Sequence, residues 1–111
     1  MRIGHIIVPA NDVQTQLAFY TSLGLTTVFR DGDRYAAVTD GAVTIGLADA
    51  TQQPVAGRTM LSIGVADLEA TVVALVAVGG KAGETVTGPH ERRTVVTDPG
   101  GNPLVVYERL A

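Results

Sequence analysis

The chain has 111 residues, a formal charge of −3 and no cysteine, so it is the size of one domain and has neither disulfides nor thiolate chemistry. Its acidic balance, with Arg58, Arg92, Arg93 and Arg109 scattered, gives no phosphate-tracking stripe, so nucleic acid is not an expected partner. It has no apolar run of about 18 residues and no basic-then-apolar leader; neither a membrane span nor a signal peptide is expected, and the chain reads as cytoplasmic.

The first β-branched run, Ile3 to Val8, predicts a strand. Asn11-Asp12 then offers a side-chain oxygen to the free N–H groups of a helix of about three turns. Val13, Leu17, Tyr20 and Leu23 recur at three- and four-residue steps as its apolar stripe. Phe19 and Tyr20 read as helix-to-sheet packing, and Gly24 suits the left-handed exit of the helix. Shorter strands are predicted at Thr26–Arg30, Tyr35–Thr39 and Ala42–Leu47, separated by the turns Asp31-Gly32-Asp33 and Asp40-Gly41. Residues 49–58, "DATQQPVAGR", have linker composition.

Leu61 to Val65 opens the series again, with Asp67 as cap. Leu68, Val72, Leu75 and Val78 form the second stripe, broadened by Val73 and Val76, and Gly79 ends the helix. Weak strand propensity at Ala82–Thr87 is followed by Arg93–Thr97 and Leu104–Glu108, the last entered through the turn Asp98-Pro99-Gly100-Gly101-Asn102. Segments 5–25 and 60–80 align without a gap at an offset of 55, which places Asp12 on Asp67 and Gly24 on Gly79. The predicted fold is therefore α+β, one domain of two βαβββ repeats: module 1 about 1–48, the linker, and module 2 about 59–111. A half of about 50 residues can hardly bury its own sheet face, so the halves are not separate domains. A ferredoxin-like β-α-β-β-α-β order is the competing topology, but it allows two strands between the helices where four are predicted.

"GHIIVPAND", "AFYTSLGL" and "TDPGGNPLVVYE", in this order and spacing, resemble the vicinal oxygen chelate superfamily of glyoxalases, bleomycin-resistance proteins and extradiol dioxygenases. The resemblance implies that each module forms half of an incomplete barrel, with a cavity between modules. It also implies a homodimer, module-swapped or not, and a metal, where one is present, held from the first and last strand of each module. Those four positions carry over to His5, Met60, Ile45 (four past Gly41) and Val105 (four past Gly101). Only His5 has ligand chemistry for a hard divalent cation, and one imidazole does not hold such an ion. No metal site and no cofactor are expected.

The candidate ligand-binding residues are His5, Ile45, Met60, Ser62, Arg92, Val105 and Tyr107. His5 is titratable near neutrality and reads equally as a general base or a hydrogen-bonded core residue. Tyr107, alternating with Val105, is the second catalytic candidate. Arg92, Arg93 or Arg34 could bind a carboxylate bidentately. Glu108 reads as a polar strand end that points away from the cavity face. The expected function is metal-free binding or sequestration of a small apolar metabolite or drug, with little stacking, because aromatic residues are 5% of the chain. The alternatives are a metal-independent lyase or isomerase using His5, or a metal-dependent lyase or dioxygenase using His5 with His90 and Glu84 or Glu108.

Overall fold

A computed structural model describes residues 1–111. Its elements run β1 (Arg2–Pro9), α1 (Val13–Ser22), β2 (Thr26–Asp31), β3 (Tyr35–Thr39), β4 (Thr44–Ala48), β5 (Met60–Gly64), α2 (Leu68–Ala77), β6 (Lys81–Thr87), β7 (Glu91–Thr97) and β8 (Pro103–Arg109). This is βαβββ twice, as the repeat predicts. By their contacts the residues fall into a first unit, His5–Thr59, and a second, Met60–Ala111 joined by Met1–Gly4. The first four residues thus group by contact with the second unit.

The first unit has the strand order β2-β3-β4-β1. β1 runs parallel to β4, with Ile7 beside Gly46 and Val8 beside Leu47, while β3 is antiparallel to both of its neighbours. Helix α1 starts where the Asp12 carboxylate accepts from the Thr15 N–H at 3.1 Å, which satisfies one of the donors a helix start leaves free. One face of α1 closes a core of Ala10, Val13, Ala36 and Leu47, with Val8, Leu17, Tyr20 and Ile45 packed against it. The stripe ends earlier than predicted: Leu23 is 70% exposed and Phe19 64% exposed. Phe19 meets Tyr20 edge-on, ring centroids 5.2 Å apart.

The second unit has the order β5-β8-β7-β6, with β5 parallel to β8 and the other pairs antiparallel. Asp67 caps α2 as Asp12 caps α1, accepting from the Ala70 N–H at 3.0 Å. The core under α2 is Leu68, Val96 and Val106, joined by Val65, Val72, Leu75 and Leu104. Val73, Val76 and Val78 are exposed, so this stripe is also narrower than the sequence suggests. Strand β6 is weak in sequence for a physical reason. It is exposed along its whole length and its register with β7 shifts between Ala82 and Thr85, so no buried face imposes an alternating pattern.

The turn before β8 is built from Asp98. Its carboxylate accepts from the Asn102 N–H at 2.8 Å and from the Asn102 side-chain amide, while Gly101 takes φ +88°. Only glycine adopts that left-handed conformation without a Cβ penalty.

Candidate functional site

Each unit turns one sheet face to its helix. In the second unit the register pairs Ser62 with Val105 and Gly64 with Tyr107, while Arg93 lies opposite Tyr107. Met60, Ser62, Gly64, Val105, Tyr107 and Arg93 therefore share the face away from α2. Met60, Ser62 and Val105 are 2–3% exposed.

Tyr107 owes its position to two glycines. A Cβ at Gly64 would lie 3.0 Å from the Tyr107 hydroxyl oxygen and 3.3 Å from Arg2 Cγ, and a Cβ at Gly4 would overlap the same hydroxyl. Two bare backbone positions let the phenol lie across the strands beside the aliphatic stem of Arg2. At this end of β5 and β8 the second unit has a groove of about 520 Å³, lined by Met1, Arg2, Gly64, Val65, Ala66, Tyr107, Glu108 and Arg109. That volume is within the range of small-molecule sites. A second groove, about 610 Å³, follows α2 along Ile63, Ala70, Ala74, Leu75, Leu104 and Val106.

The first unit repeats the device with different residues. A Cβ at Gly46 would overlap the Tyr35 hydroxyl and press on its ring. Tyr35 thus covers Gly46 on the face away from α1, and burial raises its pKa above the usual phenol value. Sequence reading missed Tyr35. The available signal was an aromatic residue at a strand start with a glycine on the adjoining strand.

Several predicted residues lie elsewhere than expected. Ile45 packs against the core beneath α1, so the position paired with Ile7 is Gly46. Ile7 aligns with Ser62 at the repeat offset, and Ser62 pairs with Val105, so Gly46 is the counterpart of Val105. Arg92 faces α2: it lies opposite Glu108 in the strand register and its guanidinium donates to the Glu69 carboxylate. That bond, helped by the nearby charges of Glu108 and Asp67, raises the Arg92 pKa, and it lowers that of Glu69. Arg93, not Arg92, shares the Tyr107 face. His5 is half-buried on β1 in the first unit and has an interaction partner.

Glu108 turns to α2, where its Oε1 accepts from the Leu68 N–H at 2.9 Å. It is a helix cap supplied by a strand 40 residues away in sequence. Asp67, Glu69 and Glu108 bring carboxylate oxygens within 4.8 Å of one another. One oxygen of each accepts a hydrogen bond, from the Ala70 N–H, from Arg92 and from the Leu68 N–H respectively. Three carboxylates thus gather at the start of α2, and one guanidinium, that of Arg92, is paired with them. Glu84 and His90 are exposed, on β6 and in the loop before β7.

A family model described as a glyoxalase-like domain matches residues 5–107. An uncharacterized protein of Mycolicibacterium smegmatis is 37% identical over 109 residues, covering 95% of this chain and 91% of its own. A glyoxalase/bleomycin resistance protein/dioxygenase superfamily member from Vibrio splendidus has the same fold with TM-score 0.72 at 16% identity, covering 96% of this chain and 97% of that one. A structure described as an NAD-dependent benzaldehyde dehydrogenase from Legionella pneumophila reaches TM-score 0.77 at 13% identity, covering 95% and 97% respectively. At such identities the likeness speaks for the fold alone.

Proposed function

Because the chain belongs to the glyoxalase-like domain family, we propose that it is a member that binds a small organic molecule without a divalent metal. The chemistry of the donor set carries this reading. The positions that the family resemblance assigns to metal ligands hold Met60, Val105 and, by strand register, Gly46, beside a single imidazole, His5. A hard divalent cation needs several carboxylate or imidazole donors, and this set does not fit one. In the second unit Tyr107 is the candidate that lines a groove and offers the ligand a hydroxyl, while Met60, Ser62 and Val105 are buried on the same sheet face.

A thermal-shift screen of small organic metabolites, aromatic and aliphatic, tests the proposal. A ligand at a hundred times its Kd stabilises the folded state by about 2.7 kcal/mol, enough to raise the midpoint by several degrees. Such a rise, reduced in Tyr107→Leu, is the expected result. No rise with any compound, or a rise only when a divalent ion is added, overturns it.

A further inference from the structure

The groove beside Tyr107 contains a charge arrangement that metal-free binding alone does not explain. Of the eight Lys and Arg residues in the chain, Arg30, Arg34, Arg92 and Arg93 are engaged by Asp33, Asp31, Glu69 and Glu91. Arg2 and Arg109 make neither an ion pair nor a side-chain hydrogen bond, and both line this one groove. Of the nearby carboxylates, Glu108 lines the groove itself and keeps its charge, with one oxygen held by the start of α2. Glu91, opposite Arg109 in the register, has its carboxylate 4.0 Å from Arg93. Tyr107 adds a hydroxyl donor where Gly64 brings it beside the Arg2 stem.

Two guanidinium groups and a phenol with no protein acceptor are hydrogen-bond donors awaiting an anion. Guanidinium matches the two oxygens of a carboxylate or phosphate, and charge-assisted bonds of this kind are the strong ones. We infer that this groove binds the oxyanion of the ligand, so the small molecules this protein takes carry a carboxylate or a phosphate. The inference rests on the small-molecule-binding reading and narrows it to anionic ligands. Arg2 and Arg109 hold the oxyanion and Tyr107 donates to one of its oxygens.

The test is a titration of the whole chain, followed by amide and arginine side-chain NMR, with inorganic phosphate, propionate and the uncharged propionamide. Phosphate or propionate is expected to give saturable shifts at Gly64, Val65, Tyr107 and the Arg2 and Arg109 side chains, with propionamide at least about tenfold weaker. Whichever anion saturates first identifies the headgroup. The double variant Arg2→Gln/Arg109→Gln should lose the response, while Arg58→Gln, in the linker, should keep it. Propionamide binding as tightly as propionate would sink the anion assignment and leave small-molecule binding standing. Shifts confined to the groove along α2, or an anion response unchanged in the double variant, would also overturn it. Saturable phosphate binding here, with no organic compound stabilising the protein, would keep the anion site and remove the broader reading.

Discussion

At Gly46 a hydrogen in place of a side chain decides where Tyr35 lies. The phenol covers the bare backbone, and any Cβ there meets its hydroxyl first. Gly46→Ala is therefore expected to cost about 1–3 kcal/mol, the usual range for overpacking. Tyr35→Phe should restore part of that loss in the double variant, a coupling that urea denaturation of the four proteins would reveal. Equal losses with and without the hydroxyl would show that the contact is not the cause. The same position shows where sequence reading reached its limit. Counting four residues from the turn glycine lands on Val105, on the face away from α2, but on Ile45, on the helix side of β4. The first half needs one more residue between its turn glycine and the equivalent position, and a slip of one in a strand reverses the face. Arg92 was misplaced by the same alternation, since nothing in "HERRTVV" says which arginine faces the helix.

Among the elements, the helices were the most legible, because capping aspartates, three- and four-residue apolar steps and exit glycines are local signals. Their outer margins were not. Leu23, Val73 and Val78 match the apolar pattern but are exposed. What sequence reading could not supply for α2 was its second cap, because Glu108 reaches the Leu68 N–H from a distant strand. Glu108→Ala should lower stability by about 1 kcal/mol, as the loss of a helix cap does, and Glu108→Gln, which keeps an acceptor oxygen, should cost less. An unchanged midpoint in Glu108→Ala would remove the capping role.

The turns and helix starts also set an acid limit. Asp12, Asp40 and Asp98 have pKa values held down mainly by backbone N–H donors from Thr15, Val43 and Asn102, and Glu69 by Arg92. A carboxylate whose folded pKa is depressed contributes stability above its unfolded value, near 4, and loses it as pH falls through the lower folded value. The melting temperature should hold from pH 7 to about 5 and fall steadily below 4. Replacing Asp40 and Asp98 with Asn should flatten that fall. An acid limb of unchanged steepness in that variant would assign the pH dependence to other groups.

At the scale of the whole molecule, the outward helix surfaces carry exposed Phe19 and Leu23 on or beside α1 and Val73, Val76 and Val78 on or beside α2. Exposed apolar side chains of this kind are compatible with an interaction surface, and a homodimer is what the family resemblance leads one to expect. Light scattering at tens of micromolar should give about twice the 11.5 kDa chain mass, and a monomer at that concentration would contradict it. The central claim, ligand binding without a divalent ion, is tested most directly by one paired measurement. Protein purified without chelators is assayed for metal, and its ligand-induced rise in melting temperature is recorded before and after dialysis against a chelator. Metal far below one ion per chain and the same rise in both states are expected. One tightly bound divalent ion per chain, with the ligand response lost on its removal, would contradict it.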